Sequence, residues 1–200
     1  RVIDMISGSG FAQQGYPVRS LFSMDFKGLN EDGVPTFINE KGVLTTSDIN
    51  FQERNNKDHL VYEGPTDPTI TGSFGNVFSY KGFKLNAFIT YSFGNVVRLD
   101  PVFSNKYSDL DAMPKEFKNV TGDENRTNVP VIADRRMNQQ DQYLSRAYNA
   151  YNYSTARIAK GDFIRMKEIS LYYDFPKSWI SHLKLSDLSL KLQATNLFLI

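Results

Sequence analysis

The sequence contains no cysteine among its 200 residues. Disulfide scaffolds, thiolate metal sites and cysteine nucleophiles are therefore excluded. An excess of charge of one sign is also missing, since 23 basic residues stand against 22 acidic ones and the formal net charge is +1. This balance gives no electrostatic basis for binding nucleic acid and no polybasic patch for a membrane surface.

Long apolar runs are the second absence. No stretch approaches the roughly 18 apolar residues of a transmembrane helix, which excludes a helical membrane protein. Membrane-spanning β-strands stay possible, because only every second residue of such a strand needs to be apolar. Aromatic residues, by contrast, are abundant: 15 Phe and 11 Tyr accompany a mean hydropathy of −0.41.

Groups that could carry catalysis are few. The two histidines, His59 and His182, have no acidic partner at a diagnostic spacing. Two carboxylate pairs lie in polar loop sequence, at Asp109/Asp111 and Asp123/Glu124. Such pairs can serve a glycosidase, but in flexible polar sequence they favour solvated charges. We expect no catalytic, cofactor or metal site, and no enzyme.

A calcium loop is suggested only superficially by residues 30–33, Asn-Glu-Asp-Gly. Lys41 stands where the bidentate Glu of such a loop is required. The segment therefore predicts a turn between two strands.

The clearest pattern is an alternation over residues 83–93. One face would carry Phe83, Leu85, Ala87, Ile89, Tyr91 and Phe93, and the other Lys84, Asn86, Thr90 and Ser92, with Phe88 as the exception. Sustained alternation predicts a strand with one apolar and one wet face. Its length matches the roughly 9–11 residues that a tilted strand needs to cross a bilayer. We therefore expect Phe83, Leu85, Ile89, Tyr91 and Phe93 to face lipid.

Further strands are predicted before and after this one. Residues 72–80 alternate and lead through Lys81-Gly82, which predicts a tight hairpin turn. Strands are also predicted at 22–27, 169–175 and 188–194, with a bulge near Lys167 because the apolar residues upstream have the opposite parity. Residues 177–183 predict a short helical turn with Trp179 and Ile180 on its inner side.

Residues 94–160 form a long polar connection with one possible short helix at 139–150. A structureless connection of this length is unusual inside a compact soluble domain. Outer-membrane barrels have such long external loops and short periplasmic turns. Four tyrosines near its end are candidates for stacking on a substrate, or else for anchoring the loop or joining an aromatic girdle: Tyr143, Tyr148, Tyr151 and Tyr153.

Several segments together resemble SusC/RagA-type TonB-dependent transporters. They are Gly15-Tyr16-Pro17-Val18, Asp67-Pro68-Thr69-Ile70 with the following hairpin, Gly161-Asp162-Phe163-Ile164-Arg165-Met166-Lys167-Glu168-Ile169-Ser170-Leu171, and Ala194-Thr195-Asn196-Leu197-Phe198. These segments are spread over nearly the whole chain in the family's order. The fold expected is an all-β, antiparallel transmembrane β-barrel portion with long extracellular loops, located in the bacterial outer membrane.

The resemblance implies a barrel of about 22 strands around a plugged lumen. It implies energy from the TonB complex, a SusD-like surface lipoprotein as a lid, and import of glycans or peptides. Residues 1–200 would be the C-terminal part of the barrel in contact with membrane lipid. Against the family's pattern, the plug domain and the final strand would be absent. The chain starts at Arg1 without a signal segment and stops within an apolar run at Ile200, which favours a fragment.

Two alternatives come from other classes. A soluble all-β carbohydrate-binding module would also alternate along its strands, because an antiparallel sandwich has one wet face. Shorter strands and turns every 8–12 residues would distinguish it. An enzyme on a β scaffold comes last, because no catalytic cluster is predicted.

Overall fold

The computed structural model describes residues 1–8, 10–102, 130 and 142–200. The chain divides into two compact units. The loop unit comprises Arg1–Asp67 and Val96–Lys160, and the sheet unit comprises Pro68–Asn95 and Gly161–Ile200. Among the residues described, no helix combines the length and the hydropathy needed to span a membrane.

The helices and strands of the described residues follow one another along the chain. In the loop unit they are α1 (Val2–Ile6), β1 (Ser20–Met24), β2 (Phe26–Leu29), β3 (Pro35–Ile38), β4 (Leu44–Thr45), β5 (Leu60–Pro65), β8 (Val96–Arg98), α2 (Gln142–Asn152), a 3-10 turn (Thr155–Arg157) and β9 (Ile158–Lys160). In the sheet unit they are β6 (Ile70–Tyr80), β7 (Phe83–Phe93), β10 (Phe163–Asp174), α3 (Lys177–Ile180), a 3-10 turn (Ser181–Leu183) and β11 (Ser189–Thr195).

The loop unit has its own hydrophobic core. The unit contains three small antiparallel sheets, β1–β5, β2–β3–β4 and β8–β9. The buried core residues are Val2, Ile6, Met24, Phe37, Ile49, Val102, Ala150 and Tyr151. Each large side chain removed from water in this way contributes about 1.5–3 kcal/mol. This unit therefore buries its apolar residues against one another.

Two predictions for this region are wrong. The two-faced strand expected at 22–27 is broken at Asp25, and β1 and β2 belong to different sheets. All five residues of β1 are buried, so its alternating polar residues are buried as well. The connection 94–160 is not structureless, because β8 pairs with β9. The short helix expected within it is confirmed as α2, whose residues 147, 148, 150 and 151 are buried. That spacing is the apolar stripe of a helix packed on one side.

The sheet unit is a four-stranded antiparallel sheet in the order β11–β10–β7–β6. β6 and β7 pair without interruption from Ile70↔Phe93 to Tyr80↔Phe83. Lys81 and Gly82 join them with φ of 44° and 86°. Positive φ at both central residues is the turn that fits the twist of a two-residue hairpin. The predicted hairpin is confirmed.

The connection from β10 to β11 agrees only in part with the prediction. The chain leaves β10 before Pro176 and forms α3 and a 3-10 turn, as expected. Ile180 is buried, with 2% of its surface exposed, whereas Trp179 is 63% exposed. The inward assignment is therefore right for Ile180 and wrong for Trp179. Neighbouring residues of a helix differ by about 100° around its axis, and one turn has room for one inward side chain here.

Candidate functional site

One face of the four-stranded sheet is apolar across all its strands. The register sets Phe78 and Leu171 on either side of Leu85, and Leu192 beyond Leu171. The same face carries Ile70, Phe74, Tyr80, Phe83, Ala87, Ile89, Tyr91, Phe93, Ile164, Met166, Ile169, Tyr173, Leu190 and Ala194. All five residues expected to face lipid lie in this set. We call it the apolar face.

A β-bulge at Lys167 keeps this face continuous. The pairing of β10 with β7 shifts between Met166 and Glu168. Because side chains alternate with period 2, a strand without the extra residue would turn one half of its apolar set to the other side. With the bulge, Met166 pairs with Ile89 and Ile169 pairs with Ala87. The predicted bulge is confirmed. It places the even-numbered apolar residues before it and the odd-numbered ones after it on the same face of the sheet.

Aromatic rings mark both ends of the apolar face. Near the Lys81-Gly82 turn, the ring centroids of Phe83 and Tyr173 are 4.2 Å apart. At the other end those of Tyr91 and Phe93 are 5.6 Å apart. Ten residue steps from Phe83 to Phe93 span about 33 Å along the strand, or about 25 Å across a membrane at a tilt near 40°. That height matches the apolar band of an outer-membrane barrel.

The opposite face carries polar and charged groups. Glu168 Oε1 accepts hydrogen bonds from Asn86 Nδ2 at 3.4 Å and from Ser170 Oγ at 3.2 Å. Lys84 Nζ lies 3.5 Å from Asp174 Oδ2 in an exposed ion pair. Such a pair contributes about 0–1 kcal/mol, so these groups report a wet surface more than a source of stability. We call this surface the polar face.

Phe88, the exception in the alternation, has a local explanation. It stands opposite Gly75. A Cβ on Gly75 would lie 2.9 Å from Cδ2 of Phe88, so the ring covers the position that a side chain would take. Lys167 Nζ lies 5.9 Å from the ring centroid, within reach of a cation–π contact. An aromatic ring over a strand glycine restores the packing that the glycine lacks.

The four candidate tyrosines have different surroundings. The side chain of Tyr143 lies outside the described residues, although its backbone belongs to α2. Tyr148 and Tyr151 are each 2% exposed, and burial raises the pKa of Tyr148 to about 12. Tyr153 is half-buried, with the guanidinium carbon of Arg98 5.5 Å from its ring centroid. This burial favours the loop-anchoring alternative for Tyr148 and Tyr151, and contact with a substrate stays a prediction.

Two half-buried charged residues, Glu63 on β5 and Arg98 on β8, were not predicted from the sequence. Arg98 Nη2 donates to the Phe22 carbonyl at 2.7 Å and to Ser23 Oγ at 3.4 Å. Burial raises the pKa of Glu63, while a hydrogen bond with Ser23 and the charge of Arg98 oppose that rise. Burial also lowers the pKa of Arg98. The sequence did contain a signal for this site, because Arg98 stands between Val97 and Leu99. A charged residue within an apolar run is expected to be partly buried and to need a polar partner.

Two histidines and two carboxylate pairs are the groups in the sequence that could carry catalysis. His59 belongs to the loop unit, where burial lowers its pKa, and His182 belongs to the sheet unit. Among the described residues there is no group of three or more side chains able to hold a metal ion. The carboxylate pairs at 109/111 and 123/124 lie outside the described residues.

The turn expected at residues 30–33 is confirmed. The Gly33 N–H donates to the Asn30 carbonyl at 3.0 Å, and the Val34 N–H donates to Asn30 Oδ1 at 2.8 Å. The asparagine thus caps a turn between β2 and β3 in the way that such residues favour.

Comparison with known proteins finds similarity both to a protein sequence and to solved structures. No family model matches the chain. It is 26% identical over 169 residues to the TonB-dependent receptor P39 of Formosa agariphila, a match that covers 78% of this chain and 15% of that protein. A chain of the RagAB peptide importer in its open-open state matches with a TM-score of 0.60 and 21% identity, covering 93% of this chain and 19% of that one.

A further structure, of the RagAB peptide transporter, matches with a TM-score of 0.62 and 22% identity over 93% of this chain and 19% of that one. At these identities the structural likeness shows a shared fold. The chain spans a fifth or less of the length of the proteins that it matches. A relative named as a TonB-dependent receptor and RagAB chains of the same fold together confirm the resemblance to SusC/RagA-type TonB-dependent transporters that the sequence predicts.

Proposed function

We propose that this chain is part of the barrel wall of a TonB-dependent importer in the bacterial outer membrane. The apolar face carries the proposal. It extends over four paired strands and stays open to solvent, with Phe74 63%, Phe78 60% and Tyr80 70% exposed. A protein in water buries such a surface. Lipid chains are the surroundings that stabilise it, and its height fits the hydrocarbon layer.

The two faces then have different roles. Phe83, Leu85, Ile89, Tyr91 and Phe93 contact lipid, and the polar face lines the lumen. The hairpin turn and the connection from β10 to β11 lie on the periplasmic side, because barrels of this kind have short periplasmic turns and long external loops.

The rest of the transporter follows from the resemblance. The wall closes into a barrel of about 22 strands, with a plug domain and a final strand supplied by other parts of a longer polypeptide. The TonB complex provides energy, and a SusD-like surface lipoprotein covers the external opening. The cargo is an oligomer, and because the matched structures are of a peptide importer, a peptide is the first cargo to test and a glycan the second.

A soluble carbohydrate-binding module is less well supported. In a sandwich, a second sheet covers the apolar face of the first. In the part of the chain that the structure describes, the exposure of Phe74 and Phe78 shows that no second sheet does so. Transport also requires no covalent change in the cargo, which agrees with the matched proteins being named as a receptor and as importers.

Cell fractionation combined with uptake tests the proposal. An antibody raised against residues 70–93 is applied to membrane fractions of the source organism, and its gene is deleted in parallel. We expect an outer-membrane band much heavier than the 22.8 kDa of this chain, with a mobility that shifts on boiling. The deletion strain should lose uptake of labelled oligopeptides or, failing that, oligosaccharides. A soluble band near the mass of this chain would overturn the proposal.

A further inference from the structure

The connection between β10 and β11, residues 175–188, exposes large apolar side chains. Trp179 is 63%, Leu183 66% and Leu185 45% exposed, although Ile180 in the same turn is 2% exposed. The segment therefore has an inner side that packs on the protein and an outer side that nothing in the described chain covers. We call residues 175–188 the anchor turn.

Basic groups accompany these apolar side chains. Within the anchor turn, Lys177 and Lys184 stand against a single carboxylate, Asp187. Lys81 belongs to the neighbouring hairpin turn, whose Gly82 carbonyl accepts a hydrogen bond from the Asp174 N–H at 2.9 Å. This end of the sheet thus combines exposed apolar surface with positive charge, a combination that suits anionic phosphate groups beside hydrocarbon.

The anchor turn is also continuous with the apolar face. The Phe175 N–H donates to the Leu188 carbonyl at 3.0 Å, closing the base of the turn. The ring centroids of Phe175 and Tyr173 are 4.8 Å apart, and the ring of Tyr173 also contacts that of Phe83. An aromatic row therefore leads from the end of the apolar face directly into the turn.

We propose that the anchor turn lies in the phospholipid headgroup layer of the membrane, with Trp179 and Leu183 inserted below the phosphates and Lys177 and Lys184 at their level. The inference rests on the proposed function, which places the apolar face in lipid. Tryptophan suits this depth because its ring is apolar and its indole N–H still reaches polar groups. The turn thereby fixes the depth of the two strands that it joins.

Fluorescence quenching by brominated lipids tests this with the full-length transporter. The protein is reconstituted into vesicles of phosphatidylcholine and phosphatidylglycerol with bromine at a shallow or a deep position of the acyl chain. The emission difference between wild type and Trp179→Phe isolates the signal of Trp179. We expect shallow bromine to quench this signal more strongly than deep bromine. A signal that neither position quenches would overturn the inference.

A double variant tests the role of the two lysines of the anchor turn. In Lys177→Gln/Lys184→Gln we expect the preference for quenching by brominated phosphatidylglycerol over brominated phosphatidylcholine to fall to unity, with shallow quenching retained. An unchanged preference would contradict the role of the lysines. Heat-modifiable mobility on a gel confirms that each variant is folded.

A label at Ile89 separates the inference from the proposal beneath it. A fluorophore on Ile89→Cys should be quenched by deep bromine if the apolar face lies in lipid. Quenching at Ile89 without quenching at Trp179 would overturn the anchor turn alone and direct attention to a protein partner for it. An absence of quenching at both positions would overturn the membrane-spanning assignment itself.

Discussion

The two units of this chain differ in how far their large apolar side chains are exposed to solvent. In the loop unit, Phe37, Met24 and Val2 have no exposed surface. In the sheet unit, Phe74 and Phe78 on the apolar face are 63% and 60% exposed. Both units are built from antiparallel strands, so strand formation alone does not account for the contrast. The first unit is stabilised by packing within the chain, and in the function proposed above the second is stabilised by contact with lipid.

The comparison shows that a hydrophobic pattern identifies a face but not its partner. The alternation in β7 is as regular as that of a strand in a water-soluble sandwich. The difference appears only when exposure is considered over four neighbouring strands. Variants that separate packing within the chain from contact with lipid should therefore affect the two units differently.

The largest effect is expected from Phe37→Ala in the loop unit. Removing a fully buried ring leaves a cavity and costs about 3–5 kcal/mol of the free energy of unfolding. Hydrogen exchange of the β1 and β3 amides in the full-length protein measures this loss. It should be equal in detergent and in lipid vesicles. Phe74→Ala is the matched control, and protection of β1 and β3 should be unchanged by it.

A charge on the apolar face should have the next largest effect. Ile89→Arg places a guanidinium near the centre of the strand and should cost about 2–4 kcal/mol in a bilayer. Asn86→Arg, on the polar face of the same strand, should cost less than about 1 kcal/mol. Denaturant unfolding of the full-length barrel in vesicles measures both. Equal losses would show that the two faces have been assigned wrongly.

A smaller effect is expected where Phe88 covers Gly75. Gly75→Val introduces a side chain into the ring at 2.9 Å or less and should cost about 1–3 kcal/mol through overpacking. Ser73→Val is the control, because it adds an apolar residue to the same face of β6 opposite Thr90. If both variants unfold at the same denaturant concentration as wild type, the ring does not occupy that space.

The smallest effect concerns Tyr148 at alkaline pH. Burial raises its pKa to about 12 in the folded protein, against about 10 in an unfolded chain. The neutral phenol is thus favoured by folding, its contribution is complete below pH 10, and it is lost as pH rises from about 10 to 12. One unit above its unfolded pKa the loss is about 1 kcal/mol. Unfolding curves of wild type and Tyr148→Phe should differ in pH dependence only in this window.

The sequence predicted the sheet unit well because its determinants are local. Strand β7 was predicted with its observed ends, Phe83 and Phe93. Lys81-Gly82 fixes the hairpin through turn geometry, and the change of parity before Ile169 located the bulge. Period and turn chemistry operate over a few residues, so one sequence is enough to find them.

The loop unit was predicted poorly because its core is assembled from distant segments. Val2, Phe37, Ile49, Val102 and Tyr151 pack together without a shared periodic pattern. The burial of Ser20 and Ser23 on β1 depends on neighbours on both sides, which no local pattern reports. The prediction that Trp179 faces inward is wrong for a similar reason. The sequence of the short turn does not show which of two neighbouring apolar residues, Trp179 or Ile180, packs on the protein.

Spin-label accessibility along β7 tests the central claim most directly. Each residue from 83 to 93 of the full-length protein in a bilayer is replaced in turn by cysteine and labelled, and collisions with oxygen and with a water-soluble nickel chelate are measured. We predict a strict period of two, with oxygen favoured at the positions of Phe83, Leu85, Ala87, Ile89, Tyr91 and Phe93 and nickel at the even-numbered positions. Equal accessibility at both parities would contradict it.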